Sequence, residues 1–327
     1  MEKQVIGIDI GYGYTKATNG AKTVVFPSVI GDSTTADFDN ELIKAGRGHT
    51  LEINGQAFFY GERAQKHSRN AMALFARERT EQSDLMRTLF DAAMVELGTV
   101  GRVAVCTGLP VDWFQDREAL EKTLIGEHTF SVDGIERHVY VTRVVVVPQP
   151  FGSFFDLILD QDGKLINASY ARGKVGIADI GTFTADLALS DGLEYIQKGS
   201  GSKTTAMSTV WRSVRDGIKA RYGLEYELHQ VDHILRNGQT VTIHGQDRDI
   251  SDLVAPAIDG LSQQVIGLMR DRWGKATDFK LVILTGGGAG WIADQVKAVY
   301  PHARLVDNAH LGNLRGFYKY AARKFGR

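Results

Sequence analysis

The chain has 327 residues, 43% of them hydrophobic and 24% charged, a composition typical of a folded globular protein that excludes extensive disorder. The formal net charge of −1 excludes a broad basic surface, so we expect no direct binding of nucleic acid. The N-terminal sequence shows no basic, apolar leader, and no apolar run reaches the length of a membrane span. We therefore expect a cytoplasmic protein without membrane contact, long enough for two domains of ordinary size.

Short apolar runs rich in β-branched residues predict buried strands. In chain order these runs cover residues 5–10, 103–106, 139–147, 175–180 and 281–284. Each leads into a loop rich in glycine, proline or hydroxyl residues, with the sequences "GYGYTK", "TGLP", "PQPFG", "GTFT" and "TGGGAG". The single cysteine, Cys106, lies inside the second run and is predicted to be a buried strand residue.

Apolar residues at helical spacing lie between these strands. One stripe begins at Ser83 and ends before Gly98, a second runs from Met207 and ends before Gly223, and a third covers 261–269. Strands that alternate with helices predict α/β layers. In such sheets ligands bind beyond the carboxyl ends of the strands, so the loops named above are expected to hold one ligand.

The phrase Asp-Ile-Gly occurs twice, at Asp9 in "GIDIGYGYTK" and at Asp179 in "VGIADIGTFTADL". Glycines allow backbone N–H groups to approach an anion closely, and Lys16 adds a positive charge for a phosphate. A carboxylate beside a phosphate is favourable when a divalent cation lies between them, because Mg²⁺ is commonly held by one or two carboxylates plus phosphate oxygens. The two loops are therefore predicted to bind the polyphosphate of a nucleoside triphosphate.

Gln149 stands between two prolines at the end of the longest apolar run. It is expected either to cap the strand end by hydrogen bonding or to orient an attacking water, as glutamine does in other nucleotide hydrolases. The sequence favours neither of these two roles over the other.

Two further glycine-rich segments resemble nucleotide motifs. "GAGWIA" from Gly288 matches G-x-G-x-x-A between a predicted strand and a predicted helix, which leaves an NAD- or FAD-binding enzyme as an alternative. "GSKT" from Gly201 fails the phosphate-loop pattern because Ser202 separates glycine from lysine, and we interpret it as a flexible loop that enters a helix. The nine histidines show no zinc-ligand spacing.

Taken in order, these motifs resemble those of the actin-like ATPase superfamily, most closely the bacterial plasmid-segregation ParM/StbA proteins and the archaeal actin homologues. "IGIDIGYGYTK" is similar to the first phosphate loop, "FPSVIG" to the segment after it, and "IADIGTFTADL" to the second phosphate loop. "VVVVPQPFGSFF" resembles the first connecting segment, "LTGGGAGWIAD" the adenosine loop, and "NLRGFYKYA" the closing helix.

The resemblance implies an α/β, actin-like (ribonuclease H-like, duplicated) fold with two domains around a nucleotide cleft. Domain I would comprise residues 1–148 and about 305–327, with a variable subdomain at about 31–82, and domain II residues 149–304. ATP or GTP would bind with Mg²⁺.

The resemblance also implies the site residues. Asp9 and Asp179 would hold the metal, through water, and Gln149 would position the hydrolytic water. The nucleotide-binding residues would be Gly11, Tyr12, Gly13, Tyr14 and Lys16 in the first loop, Gly181, Thr182, Phe183 and Thr184 in the second, and Gly286, Gly287 and Gly288 against the adenosine. Tyr12, Tyr14 and Phe183 are bulky where relatives carry smaller residues.

The function that the resemblance implies is an ATPase that assembles into dynamic filaments, in plasmid or DNA segregation or a related cytoskeletal role. Its expected partners are copies of itself and a DNA-binding adaptor protein. A sugar kinase-like phosphotransferase of the same superfamily that does not polymerise is the main alternative, although no convincing catalytic aspartate for a sugar is found.

Overall fold

A computed structural model of the chain describes residues 4–33, 49–73 and 83–326. The chain divides into two compact units, the first formed by Met1–Ala168 with Leu311–Arg327 and the second by Ser169–His310. Of the segment expected to be variable, residues 31–82, positions 34–48 and 74–82 lie outside the described residues. Within the described ranges, none of the helices combines the length and apolar character that crossing a membrane requires.

The first unit is built on one mixed sheet. Its strands are β1 (Gln4–Ile10), β2 (Tyr14–Thr18), β3 (Thr23–Pro27), β4 (Val29–Asp32), β5 (Leu51–Ile53), β6 (Gln56–Tyr60), β7 (Met72–Ala73), β8 (Gly101–Leu109), β9 (Gly126–Val132) and β10 (Ile135–Pro148). Its helices are α1 (Gly61–His67), α2 (Ser83–Leu97), α3 (Arg117–Leu124), α4 (Phe151–Ile158) and, from the end of the chain, α10 (Gly312–Phe325). The strand order is β3-β2-β1-β8-β10-β9-β5-β6-β4-β7.

Three neighbouring strands of this sheet are parallel, because β8 pairs in parallel with β1 on one side and with β10 on the other. Their carboxyl ends therefore lie at one edge of the sheet, where the loops after Ile10, Leu109 and Pro148 begin. This arrangement brings "GYGYTK", "TGLP" and "PQPFG" to the same edge, as the sequence predicted.

The apolar stripe of α10 packs on β1, β8 and β10. Phe317, Ala321 and Phe325 lie in one buried cluster with alternate residues of β8 and β10. Gly7 of β1 allows the close approach of this helix, since a Cβ there would lie 2.7 Å from the backbone nitrogen of Tyr318. Cys106 is fully buried in the same cluster, so the predicted buried strand position is confirmed, and burial raises the pKa of its thiol.

The second unit has its own sheet and core. Its strands are β11 (Lys174–Ile180), β12 (Ala185–Asp191), β13 (Glu194–Tyr195), β14 (Gly201–Lys203), β15 (Thr240–Ile243), β16 (Gln246–Asp249), β17 (Leu281–Thr285) and β18 (Ala303–Leu305). Its helices are α5 (Ala168–Ala171), which begins at the boundary, α6 (Met207–Tyr222), α7 (Leu228–Arg236), α8 (Ser251–Trp273) and α9 (Ala289–Val299). The sheet order is β13-β12-β11-β17-β18, β14 pairs with β12, and β15 and β16 form a separate hairpin.

The predicted strands and helices are confirmed, because each apolar run falls within an observed strand and each stripe within an observed helix. The end of α6 has a local cause: Gly223 adopts φ +71°, a left-handed conformation that favours glycine and closes the helix with a hydrogen bond to the carbonyl of Lys219. The interpretation of "GSKT" as a flexible loop is wrong. Residues Gly201–Lys203 form strand β14, because they pair with the end of β12.

The first unit continues beyond residue 148, the end of domain I implied by the resemblance, because α4 packs closely against α10. The contact is made by two glycines: a Cβ on Gly316 would overlap the carbonyl oxygen of Gly152. Charges reinforce the contact, because the Asp156 carboxylate accepts hydrogen bonds from Arg315 at 2.8 Å and pairs with Lys319 at 2.7 Å. The helix that follows Gln149 is thereby fixed to the last helix of the chain.

We expect Gly316→Ala to lower the free energy of unfolding by about 3 kcal/mol, because the added methyl group overlaps backbone atoms of α4 that cannot turn away. The matched control is Gly267→Ala, also within a helix, where a Cβ would meet nothing within 4 Å. This control should gain roughly 0.5–1 kcal/mol, the helix propensity difference. Urea unfolding of both variants checks the prediction, and equal effects at the two positions would contradict it.

Candidate functional site

The first Asp-Ile-Gly phrase forms a tight turn between β1 and β2. Ile10 pairs with Thr15 and Asp9 with Lys16 across the antiparallel strands, so residues 11–14 form the loop. The turn is closed by the N–H of Gly11, which donates to the carbonyl of Tyr14 at 3.0 Å. Gly11 has little space for a side chain, because a Cβ there would lie 3.0 Å from that same carbonyl oxygen.

Asp9 is a nearly fully buried carboxylate, with a relative exposure of 1%. Its two oxygens accept from different partners: Lys16 Nζ donates to Oδ2 at 2.9 Å and Gln149 Nε2 donates to Oδ1 at 2.7 Å. A buried charge is costly unless it is paired and hydrogen-bonded, and both conditions are met here. The structure therefore brings together three residues that the sequence assigned to the site: Asp9, Lys16 and Gln149.

Gln149 is held by its backbone as well as by its side chain. Its N–H donates to the carbonyl of Leu109 at 2.7 Å, which extends the pairing of β10 with β8 by one residue. Because a carboxylate only accepts hydrogen bonds, the amide of Gln149 must turn its NH₂ group toward Asp9. The carbonyl oxygen Oε1 on the other branch of that amide is then set as a hydrogen-bond acceptor.

The second Asp-Ile-Gly phrase forms the same turn in the second unit, between β11 and β12. Ile180 pairs with Ala185, and the N–H of Gly181 donates to the carbonyl of Thr184 at 2.9 Å. The register places Asp186 opposite Asp179, at the position that Lys16 holds in the first turn. Both carboxylates are buried, and the hydroxyl of Ser202 donates to Asp186.

The two turns thus share their backbone form but differ in charge. The first pairs its aspartate with a lysine, and the second places two carboxylates on directly opposite positions. The second turn therefore carries two acidic residues where the first carries an ion pair.

The glycine loop after β17 lies against the second turn. Gly288 N–H donates to the carbonyl of Ile180 at 2.9 Å. Gly286 has φ +90°, and a Cβ there would overlap the Asp179 carboxylate, so only glycine allows this contact. Gly286 and Gly288, predicted to lie against an adenosine, are therefore packed on the end of β11, at Asp179 and Ile180.

Two residues beside this glycine loop were missed by sequence reasoning. A Cβ on Gly287 would lie 3.3 Å from His310 Nδ1 and 3.7 Å from a guanidinium nitrogen of Arg236. Arg236 is oriented by Asp232, one helical turn earlier in α7, whose carboxylate accepts from its Nε at 2.9 Å. The i, i+4 spacing of Asp232 and Arg236 was visible in the sequence, but nothing there connected it with Gly287.

The remaining predicted loop residues lie where the turns require them: Tyr12, Gly13 and Tyr14 in or next to the first loop, and Thr182, Phe183 and Thr184 in the second. Tyr12 is buried, whereas Phe183 is half-buried. The described part of the chain contains no cluster of three or more His, Cys, Asp or Glu side chains placed to hold a metal ion.

A duplicated α/β fold in which each unit carries an aspartate-bearing hairpin turn beyond parallel strands defines the class of actin-like proteins. Two family models match the chain, "Actin like proteins N terminal domain" over residues 7–152 and "Archaeal actin homologue MreB-like, C-terminal" over residues 177–298. The chain belongs to the actin-like superfamily, and the predicted fold class is confirmed.

Solved structures of the same fold align over nearly the whole chain. A non-polymerisable quadruple mutant of the pCBH ParM is 22% identical, with 98% of this chain and 99% of that chain covered and a TM-score of 0.80. The subunit of a 15-stranded ParM filament from Clostridium botulinum is 20% identical, with the same coverage and a TM-score of 0.80. An archaeal actin homologue in complex with ADP is 19% identical, with coverage of 98% and 99% and a TM-score of 0.81. A search among curated proteins finds no match.

We expect Lys16→Met to lower the free energy of unfolding by roughly 3 kcal/mol, because it leaves the buried Asp9 carboxylate without its positive partner. Adding Asp9→Asn should recover most of this loss, since a neutral amide needs no counter-charge. Urea unfolding of both single variants and the double variant measures the coupling. Simple additivity of the two substitutions would show that the pair contributes nothing to stability.

Proposed function

We propose that this protein binds and hydrolyses a nucleoside triphosphate, ATP or GTP, with Mg²⁺, and assembles into dynamic filaments. The observation that carries the proposal is the duplicated turn. In both units an aspartate is the next-to-last residue of a buried strand, and a glycine N–H donates to the carbonyl of the fourth residue of the following loop. Because the same turn, with the same closing hydrogen bond, occurs in both units, it favours a shared function over an ordinary turn after a strand.

The residues present fit a magnesium nucleotide. Gly11 and Gly181 allow the tight turns, because a Cβ would lie 3.0 Å and 3.1 Å from the carbonyl oxygen that closes each turn, and backbone N–H groups in such turns attract anions. Asp9 and Asp179 would hold Mg²⁺ through water, and the carboxylate pair of Asp179 and Asp186 supports a cation at the second turn. The bound ion would supply positive charge for the phosphate oxygens.

The adenosine or guanosine would lie against the glycine loop of residues 286–288. Gly287, with His310 and Arg236 beside it, leaves a surface that a larger side chain would occupy. His310 and Arg236 offer hydrogen-bond donors to a ribose or a base, and we add them to the residues proposed from the resemblance.

Gln149 is proposed to position the hydrolytic water. Its NH₂ group is engaged by Asp9 and its backbone by Leu109, so its Oε1 is available at a fixed place as an acceptor for a water hydrogen. Orientation of a reactant by a rigid group raises the rate without strengthening nucleotide binding. Lys16, which pairs with Asp9, would provide the positive charge next to the phosphates.

Assembly into filaments is supported by the comparisons at the level of the fold. One structure of that fold is a 15-stranded ParM filament, and another is an archaeal actin homologue with bound ADP. In the proposed cycle, the triphosphate favours assembly and its hydrolysis weakens subunit contacts, which makes filaments dynamic. With a net charge of −1, DNA would be carried through an adaptor protein rather than bound directly.

Sedimentation with simultaneous phosphate release tests the proposal. We expect the protein to pellet with Mg-ATP or Mg-GTP, to release phosphate, and to return to the supernatant as the diphosphate accumulates. Protein with EDTA and protein with the diphosphate alone are the controls. Phosphate release without pelleting would reject the filament proposal, and release that requires a sugar would support the phosphotransferase alternative.

We expect Gln149→Ala to slow phosphate release by roughly 10–100-fold while the Kd for the Mg-nucleotide changes little, since its task is to orient water. Asp179→Ala should abolish Mg-dependent hydrolysis. Gln161→Ala, an exposed glutamine in the same unit as Gln149, is the matched control and should behave like the unaltered protein. Single-turnover hydrolysis and calorimetric titration separate the two quantities. An equal loss of rate and affinity in the Gln149 variant would refute its assigned role.

A further inference from the structure

We propose that Ser28, oriented by Thr15, is a positioning residue that holds the first turn in its phosphate-binding form. Neither residue belongs to the sites described above, and the inference rests on the proposed function. Ser28 follows β3 in the segment "FPSVIG", whereas Thr15 lies at the start of β2.

Ser28 binds the first turn through both its side chain and its backbone. Its hydroxyl donates to the carbonyl of Gly11 at 2.6 Å, and its N–H donates to the carbonyl of Gly13 at 3.0 Å. These are the first and third residues of the loop. One residue from a different part of the sheet thus fixes two of the four loop carbonyls.

Thr15 fixes the direction in which the Ser28 hydroxyl donates. The Thr15 and Ser28 hydroxyl oxygens are 2.9 Å apart. Because the single hydroxyl hydrogen of Ser28 is directed to Gly11, Thr15 must donate to Ser28 in this pair. The relative exposures are 0% for Thr15 and 1% for Ser28, so water does not compete at either hydroxyl.

Fixing these carbonyls also fixes the N–H groups of the loop. In a planar trans peptide the C=O of one residue and the N–H of the next point in opposite directions. A Gly11 carbonyl held toward Ser28 therefore sets the direction of the Tyr12 N–H, and a held Gly13 carbonyl sets that of the Tyr14 N–H. Donors fixed before an anion arrives bind it without a cost of reorganisation.

The second turn is anchored at the same place by a different device. There the N–H groups of Met207 and Ser208, at the start of α6, donate to the carbonyls of Gly181 at 3.3 Å and Thr182 at 2.7 Å. The first carbonyl of each loop thus accepts a hydrogen bond. In the first unit the donor is the Ser28 hydroxyl, and in the second unit it is the N–H of Met207 at the start of α6. Only the first anchor is a side chain, so only this one can be removed by substitution.

Ser28→Ala is the direct test, and nucleotides of different phosphate content are its probes. We expect the Kd for Mg-ATP to rise roughly tenfold or more, because the Gly11 carbonyl loses its buried partner and the turn must be reordered on binding. The Kd for adenosine, which carries no phosphate, should stay within about twofold of the unaltered protein. Hydrolysis at saturating nucleotide should also slow.

Ser200→Ala is the matched control. Ser200 is a buried serine that also accepts one bond, from the Leu189 N–H at 3.0 Å, and donates one, to the Ile196 carbonyl at 2.8 Å. It lies in neither turn nor the glycine loop. We expect Ser200→Ala to lower the melting temperature about as much as Ser28→Ala does, but to leave the ratio of ATP affinity to adenosine affinity unchanged. If Ser28 had only a structural role, Ser28→Ala would leave this ratio unchanged as well.

Thr15→Val and Thr15→Ser provide a second, milder test of the role of Ser28, which remains usable if Ser28→Ala fails to fold. Thr15→Val keeps the shape but removes the donor to Ser28, so it should weaken Mg-ATP binding, and Thr15→Ser should restore it. An unaltered protein that binds no nucleotide would reject the proposed function itself. Nucleotide binding by the unaltered protein, with unchanged ATP-to-adenosine ratios in these variants, would overturn only the role of Ser28.

Discussion

The structure of the first unit depends on a carboxylate that is almost completely buried at the end of a strand. An aspartate in this place would carry its charge into a low-dielectric environment, which is tolerated only when both oxygens have partners. Lys16, seven residues further along the same hairpin, satisfies one oxygen, and Gln149, at the end of another parallel strand, satisfies the other. The need to give both oxygens of the buried Asp9 side chain a hydrogen-bond partner therefore determines which side chains lie beyond the carboxyl ends of β1 and β10.

The second unit meets the same need differently. It keeps the turn, its closing hydrogen bond and its buried aspartate, but places Asp186 where the first unit has a lysine. A basic partner makes the first turn nearly neutral by itself, whereas the second turn carries two acidic side chains, of which Asp186 accepts a hydrogen bond from the Ser202 hydroxyl. The two turns thus share one backbone form and differ in the charge of the residue opposite the aspartate.

How far the sequence predicts this structure depends on the range of each interaction. The strand that leads into each turn and the end of α6 at Gly223 are set by neighbouring residues, and they were predicted correctly. The bond between Gln149 and Asp9 joins residues 140 positions apart, and no local pattern contains it. Arg236 and Gly287 are also far apart in the sequence, so no local pattern predicts that they lie close together. The pairing of β14 with β12 was missed because three residues with small or polar side chains do not show the alternation of a strand.

The position of Gln149 connects the site with the fold as a whole. The residue is followed at once by Pro150, which cannot cap a helix with its side chain, and then by α4. The missing cap comes from the other end of the chain: Asn313 Oδ1 accepts from the N–H of Ser153 at 3.2 Å and from its hydroxyl at 2.7 Å. Gly152 and Gly316 allow α4 and α10 to approach closely, and this close approach brings Asn313 within hydrogen-bond distance of Ser153. The start of α4, and with it the direction in which the chain leaves Gln149, is therefore fixed by α10, the same helix that packs on β1 at Gly7, two residues before Asp9.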